Sequence, residues 1–265
     1  MNQTVLVTGA CGGIGKALCK RFLTAGYSLV CVDKSYVQLQ ALKQAFSNTP
    51  SKIYCIKQDL RKPDSPTLIY EEVKRQNLNI DILVNAAGFG IYGDFLDQGI
   101  EENQALIDVN ISGLMKLCHL FAADMKERGS GTIINFSSIS AFFPGNLMSG
   151  YYASKAFVLS FSIALAEELK KYNIRVLAIC PDVIDTPFYE KAHADRLHSH
   201  LLNRLKPKKV STFSKKAFKA IQHRRRYYVL IGLRAKLLVF FSIFVPKRIQ
   251  VKIIGFIQAK VKKNS

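Results

Sequence analysis

The chain has 265 residues, of which 49% are hydrophobic, and this is enough for one large core without a division into two domains. Its six cysteines form no CxxC pair, so we expect reduced thiols in a cytoplasmic protein, not a disulfide framework or a zinc site. No run of about 18 uncharged apolar residues predicts a transmembrane helix, and we expect no signal peptide before the first strand.

The net charge of +19 is concentrated in the C-terminal part of the chain. Residues 1–204 contain 21 Lys/Arg and 19 Asp/Glu, whereas residues 205–265 contain 17 Lys/Arg and no acidic residue. An anionic partner would therefore meet the tail and not the body of the protein. Nucleic acid is disfavoured, because the cations alternate with large apolar residues and no nucleic-acid-binding motif is present.

Short β-branched runs alternate with helical patterns along the chain as far as the tail. The predicted strands are 4–8, 28–32, 52–57, 80–85, 131–137 and 175–180. The predicted crossover helices are 14–25, 35–47, 64–77, 101–128 and 153–172. Continuous apolar strands separated by helices are typical of a doubly wound parallel α/β sheet.

A glycine-rich loop follows the first predicted strand and contains Gly9, Gly13, Ile14 and Gly15. Glycines permit a tight turn and a close approach to a pyrophosphate, which the next helix N-terminus would attract. A turn that needs glycine for steric reasons alone is the alternative. Asp33 ends the second strand, where a carboxylate can bind the adenosine ribose hydroxyls and repel a 2′-phosphate, which favours NAD over NADP. Alternatively, Asp33 only caps a helix.

Three side chains in the middle of the chain suit proton transfer to a carbonyl group. Ser138 follows the fifth strand, and Tyr151 and Lys155, four residues apart, share a face where the next helix begins. A nearby ammonium stabilises a phenolate, so Lys155 would lower the pKa of Tyr151 and let it exchange a proton with the substrate. Ser138 would bind the substrate oxygen. Tyr152 is a competing phenol, but the spacing from Ser138 favours Tyr151.

With these motifs, residues 3–190 resemble the short-chain dehydrogenase/reductase (SDR) family. Further matches to the family are Asp59 and Leu60 near the adenine, Asn85, Ala86 and Gly88 after the fourth strand, Asn110 as the catalytic asparagine, and Pro181 with Thr186 near the nicotinamide. The resemblance implies a Rossmann fold, NAD(P)-dependent hydride transfer and homo-oligomers formed through the helices at 101–128 and 153–172. Tyr151 and Lys155 would also contact the cofactor. Asp182 departs from the family by replacing a glycine, which leaves the geometry of that loop in question.

The loops beyond the fifth and sixth strands are expected to line the substrate pocket. They carry Phe142, Phe143, Leu147, Met148, Phe188 and Tyr189, which favours a hydrophobic substrate such as a fatty carbonyl, an acyl thioester or a steroid-like alcohol. Alternatively, several of these side chains pack the core or a dimer contact. His193, His198 and His200 are expected to be surface residues, and we predict no metal site.

The tail after residue 232 mixes large apolar residues with cations. We predict a catalytic domain at 1–232 and a C-terminal helical extension at 233–265, divided by Pro246 into two helices. Such helices suit peripheral contact with an anionic membrane surface. Alternatively, they cover the substrate pocket or a subunit interface, and the two readings are compatible. A non-catalytic NAD(H)-binding regulatory or membrane-associated protein is the alternative to an enzyme.

Overall fold

The computed structural model describes residues 3–188, 207–223 and 227–258. Its strands are β1 (Thr4–Thr8), β2 (Ser28–Asp33), β3 (Ile53–Lys57), β4 (Ile82–Asn85), β5 (Gly131–Phe136), β6 (Ile174–Pro181) and β7 (Tyr228–Ile231). They form one parallel sheet in the order β3-β2-β1-β4-β5-β6-β7. The strand order reverses between β1 and β4, and this switch point is where ligands bind in such sheets.

Helices cover both faces of the sheet. They are α1 (Gly13–Thr24), α2 (Tyr36–Ala45), α3 (Ser65–Arg75), α4 (Ile100–Ile107), α5 (Leu114–Glu127), α6 (Ser149–Lys170), α7 (Val210–Gln222), α8 (Leu233–Ser242) and α9 (Lys247–Gln258). A π-helical turn, Asp108–Gly113, connects α4 to α5. The doubly wound sheet predicted from the sequence is confirmed.

The core consists of two apolar layers, one on each face of the sheet. On one face, Phe22 of α1 packs edge-on against Phe218 of α7 with ring centres 5.3 Å apart. On the other face, Leu117, Phe121 and Met125 of α5 are buried against the strands. Strands that are covered on both faces need apolar residues at every position, which explains the continuous runs in the sequence.

The stretch Ile100–Glu127 is long and apolar enough, by length and composition, to cross a membrane. Within it, 44% of the most apolar window is buried in the protein. The buried side chains are those that α5 presents to the sheet, so the stretch is accounted for as a core helix of the fold.

Candidate active site

The glycine loop between β1 and α1 is packed too closely to accept side chains. Gly9 has φ +64°, and a Cβ there would lie 2.8 Å from the Cα of Ala87. A Cβ on Gly15 would overlap the carbonyl oxygen of Gly9, and one on Gly13 would lie 2.7 Å from the Thr186 side chain. Because Gly9, Gly13 and Gly15 have no side chains, the loop leaves an open cradle at the N-terminus of α1. The free N–H groups of this helix end attract phosphate. The residues present therefore fit a dinucleotide.

Asp33 faces this loop from the end of β2. Its carboxylate accepts hydrogen bonds from the backbone N–H groups of Cys11 at 3.0 Å and of Ser35 at 3.4 Å. The cap of α2 is Ser35, whose hydroxyl accepts from the N–H of Gln38. Helix capping is therefore the role of Ser35, and the Asp33 carboxylate lies beside the cradle.

Asp59 and Leu60 follow β3. Asp59 forms an ion pair with Arg61, whose Nε lies 2.9 Å from a carboxylate oxygen, and this hydrogen bonding lowers the pKa of the Asp59 carboxyl. Leu60 is buried, and its side chain lies beside Gly113 of the π-helical turn. The Arg61 guanidinium is thus already engaged by a carboxylate.

The loop after β4 connects the glycine cradle to the predicted catalytic residues. Asn85 is buried, and its Nδ2 donates to Oδ1 of Asn135 at 2.9 Å. A Cβ on Gly88 would lie 3.1 Å from Oδ1 of Asn110 and 3.2 Å from Nζ of Lys155. A side chain here would require the ends of Asn110 and Lys155 to shift by a few tenths of an ångström, so the glycine lets the loop lie close to both.

Asn110 lies in the π-helical turn and connects three segments. Its Nδ2 donates to the carbonyl of Phe89 at 2.9 Å and to Oγ of Ser154 at 3.0 Å, and its Oδ1 accepts from the N–H of Phe89 at 3.1 Å. Both ends of the amide are used within the protein. Asn110 therefore holds the β4 loop against the first turns of α6.

Ser138, Tyr151 and Lys155 lie together at the carboxyl end of the sheet. The Ser138 hydroxyl lies near enough to the Tyr151 hydroxyl to lower its pKa. The Lys155 ammonium donates to the carbonyl of Phe136 at 3.0 Å and lies 5.7 Å from the centre of the Tyr151 ring. Helix α6 begins at Ser149, so Tyr151 lies in its first turn and Lys155 one turn later on the same face.

Burial changes the acidity of both residues on α6. It raises the pKa of Tyr151 well above its usual value, an effect that the nearby Ser138 hydroxyl only partly opposes. It lowers the pKa of Lys155 from 10.5 to about 8. At neutral pH the pair consists of a phenol that can donate a proton and an ammonium that can stabilise the resulting phenolate.

A cavity of about 430 Å³ opens over these residues and also contacts Ile14, Pro181 and Thr186, three residues that were predicted to bind the cofactor. Of the predicted substrate-pocket residues, Phe143, Met148 and Phe188 line it. The Phe188 ring lies 5.3 Å from the Tyr151 ring.

Two predicted pocket residues are not among the described residues that line the cavity. Phe142 packs against Tyr228 with ring centres 5.9 Å apart, and the Leu147 backbone is left-handed at φ +62°. The residue that follows this turn, Met148, lines the cavity. Tyr189, His193, His198 and His200 lie outside the described residues.

Helices α8 and α9 form the roof of the cavity through Leu238, Phe241, Ile253, Ile257 and Gln258. The Nε2 of Gln258 donates to the Tyr152 hydroxyl at 2.8 Å, and the Tyr92 hydroxyl donates to its backbone carbonyl at 2.7 Å. The predicted cap over the pocket is therefore present in the structure. The sequence indicated an amphipathic tail, but these contacts span more than a hundred residues and have no local signal.

Asp182, the departure from the family pattern, is neutralised by a residue that sequence analysis missed. Its buried carboxylate lies 3.1 Å from Nζ of Lys208 and accepts from the N–H of Val183 at 2.9 Å. Backbone hydrogen bonds also pair Lys208 with Val183 and Asp185, each at 3.0 Å. The loop after β6 is thus held in place without the glycine.

A doubly wound parallel sheet with a glycine cradle at its first strand–helix turn defines a dinucleotide-binding protein. The family model described as short chain dehydrogenase matches residues 3–197. The chain therefore belongs to the short-chain dehydrogenase/reductase family and is an NAD(P)-dependent oxidoreductase, as the motifs predicted.

Relatives of known sequence and structure agree with this assignment. An uncharacterized oxidoreductase of Staphylococcus epidermidis is 31% identical over 71% of this chain and 81% of its own length. Human 17-beta-hydroxysteroid dehydrogenase type 3 is 35% identical over 70% of this chain and 60% of its own length. The structure of a short-chain dehydrogenase from Sphingobium yanoikuyae in complex with NADPH matches with a TM-score of 0.80 and 28% identity, covering 99% of both chains.

Proposed function

We propose that the protein transfers a hydride between NAD(P)(H) and a carbonyl or secondary alcohol group of a hydrophobic substrate. The observation that carries this proposal is the cavity, which has Ser138, Tyr151 and Lys155 on one wall and is otherwise lined mainly by apolar side chains. A steroid dehydrogenase among the relatives supports the same class of substrate. The substrates that we infer are ketones, aldehydes and alcohols with a large apolar body.

In the direction of reduction, the Ser138 hydroxyl donates a hydrogen bond to the substrate oxygen and holds the carbonyl in the cavity. Tyr151 donates its phenolic proton to the same oxygen, and the Lys155 ammonium stabilises the phenolate left behind. Asn110 holds the β4 loop against the first turns of α6, which carry Tyr151 and Lys155. When bound in the cradle, a nicotinamide cofactor would supply the hydride for the carbonyl carbon. Oxidation of an alcohol reverses the proton transfer.

The experiment that tests this function follows NADH and NADPH absorbance with fatty aldehydes, 3-ketoacyl thioesters and ketosteroids as substrates. Turnover of at least one apolar carbonyl compound is expected. Binding of a dinucleotide without turnover of any of them would instead favour the alternative, a non-catalytic NAD(H)-binding regulatory or membrane-associated protein.

The cofactor would be held by residues at the ends of five strands, β1, β2, β3, β4 and β6, together with two residues of α6. We infer that they are Gly9, Gly13, Ile14, Gly15, Asp33, Asp59, Leu60, Asn85, Ala86, Gly88, Tyr151, Lys155, Pro181 and Thr186. NAD is the favoured cofactor, because the Asp33 carboxylate lies beside the cradle and would repel a 2′-phosphate. Arg61, a cation that a 2′-phosphate could use, is paired with Asp59.

Replacing Asp33 by serine is expected to reverse this discrimination, because it removes the negative charge. The ratio of the NADPH to the NADH dissociation constant should fall by at least about tenfold. Titrations followed by nicotinamide fluorescence measure both constants. Asp64→Ser, which removes an exposed carboxylate at the start of α3, is the control and should leave the ratio unchanged. An unchanged ratio in Asp33→Ser would contradict the role of this carboxylate.

The outer face of α8 and α9 supports peripheral contact with a membrane. It exposes Leu233, Leu237, Phe240, Phe241, Ile243, Phe244, Ile249, Ile253 and Phe256. Its charged residues, Lys236, Arg248 and Lys252, are cations. A second copy of the chain would bring like charges together on this face, whereas anionic lipid attracts them. Phe241 also lines the cavity, so the cavity opens towards this face and the enzyme would act in the cytoplasm at the membrane surface.

The double substitution Phe240→Ser and Phe244→Ser is expected to weaken binding to vesicles of phosphatidylcholine and phosphatidylserine by at least about tenfold. The reason is that the favourable free energy of moving each phenyl ring from water into lipid is lost. Co-sedimentation measures the bound fraction. Val37→Ser with Leu96→Ser is the matched control, since these residues are 78% and 93% exposed elsewhere on the protein. Equal vesicle binding by the two double variants would exclude this face as the membrane contact.

A homo-oligomer is also part of the proposal, formed through α4–α5 and α6. Met115 on α5 is 42% exposed, and Phe157 and Phe161 on α6 stack with ring centres 5.7 Å apart while remaining partly exposed. Apolar side chains at these positions favour burial against a second copy.

A further inference from the structure

Three charged residues line the cavity in the described part of the chain, and they are Lys155, Asp182 and Arg234. The Lys155 ammonium is buried and donates to the Phe136 carbonyl. The Asp182 carboxylate is also buried and forms its ion pair with Lys208. Arg234 is only partly buried, and it takes part neither in these pairings nor in the proton transfer. The reaction therefore gives no reason for a positive charge at this position.

Arg234 lies on the face of α8 that covers the cavity. Leu238 and Phe241 line the same cavity and follow Arg234 at four and seven positions, a spacing that puts all three on one face of a helix. Helices α8 and α9 contain no acidic residue, and no carboxylate of the described residues lies within ion-pair distance of Arg234. Beside apolar walls the charge is screened less than in water, so an anionic ligand is attracted more strongly there.

The order of the strands places Arg234 nearer to the substrate than to the cofactor phosphates. Helix α8 follows β7, and β7 is four strands away from β1, whose loop forms the glycine cradle. Neighbouring strands lie about 4.8 Å apart, so roughly 19 Å separates the end of β7 from the cradle. Ser138 follows β5, which is only two strands from β7, or roughly 10 Å. The anion that Arg234 meets is therefore part of the substrate.

We propose that Arg234 binds a carboxylate at the end of the substrate away from the reacting carbon. This inference rests on the proposed function, since Arg234 shares the cavity with Ser138, Tyr151 and Lys155. A guanidinium binds a carboxylate through two parallel hydrogen bonds. One cation balances one negative charge, so a carboxylate fits better than a phosphate monoester, which carries nearly two. The substrate is then an oxo or hydroxy acid whose apolar chain separates the carboxylate from the reacting carbon by roughly 10 Å.

The test compares 9-oxodecanoate with 9-oxodecanamide, two ketones of the same length that differ in the charge at one end. Calorimetry measures their binding to the full chain saturated with oxidised cofactor, with which a ketone cannot react. Wild type is expected to bind the acid at least about tenfold more tightly than the amide, because a charge-assisted hydrogen bond is stronger than a neutral one. Arg234→Met should reduce this preference to less than about threefold. Arg75→Met, the same substitution at a side chain of α3 that is 72% exposed, should retain it.

Equal affinity of wild type for the acid and the amide, or binding of neither, would overturn the proposal without any variant. A preference that persists in Arg234→Met would overturn it as well, and a loss of binding to anionic vesicles in that variant would then assign the arginine to the membrane contact. Arg234→Gln, which keeps a polar end without the charge, should give the same result as Arg234→Met.

Hydride transfer from reduced cofactor to the same two ketones is followed separately by absorbance, so that the two proposals can fail independently. Transfer to both ketones without a preference for the acid would support the proposed function and refute the carboxylate contact. Absence of transfer with the preference for the acid intact would contradict the proposed function and leave the Arg234 contact supported.

Discussion

Tyr151→Phe is expected to lower kcat for carbonyl reduction by about a thousandfold, because it removes the only proton that the phenol can donate. The substitution deletes one oxygen and keeps the ring, whose packing against Phe188 at 5.3 Å should be preserved. Affinity for the dinucleotide should therefore change by less than about threefold. Steady-state kinetics and a cofactor titration on the same preparation separate the two effects.

Tyr152→Phe is the matched control for this prediction. Tyr152 is the adjacent phenol, its ring centre lies 6.2 Å from that of Tyr151, and its hydroxyl contacts Ser140 and Gln258 instead of Ser138. We expect its loss to reduce kcat by less than about tenfold. If Tyr152→Phe were inactive and Tyr151→Phe active, the roles of the two phenols would have to be exchanged.

The strands and the glycine loop could be predicted because their causes are local. Each strand is buried on both faces and must be apolar at successive positions, so β1 begins and ends at the residues that the pattern predicted, Thr4 and Thr8. The start of α6 was predicted four residues late, at 153 instead of Ser149. No side chain caps this end of the helix, so the sequence contains no capping signal there.

The parts of the site that escaped prediction depend on contacts between distant segments. Lys208 reaches Asp182 across 26 positions, and Gln258 reaches Tyr152 across 106. The π-helical turn at Asp108–Gly113 differs from an α-helix by its hydrogen-bonding register, which residue periodicity does not encode. The amphipathic tail was visible in the sequence, but the choice of which face covers the cavity depends on the shape of the body beneath it.

Lys155→Met is expected to change activity and stability in opposite directions. Lys155 is 6% exposed, and its ammonium has the Phe136 carbonyl as its hydrogen-bond acceptor in the described part of the chain, with no carboxylate within ion-pair distance. Losing the charge that stabilises the Tyr151 phenolate should lower kcat by at least about a hundredfold. Removing a buried charge that lacks a counter-ion should raise the free energy of unfolding at pH 7 by about 2 kcal/mol.

The pH dependence distinguishes this explanation from a change in packing. Because burial lowers the pKa of Lys155 to about 8 from 10.5, the folded protein bears the cost of the buried ammonium fully below pH 8. As pH rises from about 8 towards 10.5, the folded state releases the proton first, so wild-type stability increases relative to Lys155→Met and the difference disappears. Over the same range, wild-type reduction should slow as the ammonium is lost. Urea unfolding of both proteins at pH 7 and pH 10 measures the difference in their free energies of unfolding. A difference that is equal at the two pH values would show that charge burial is not its cause.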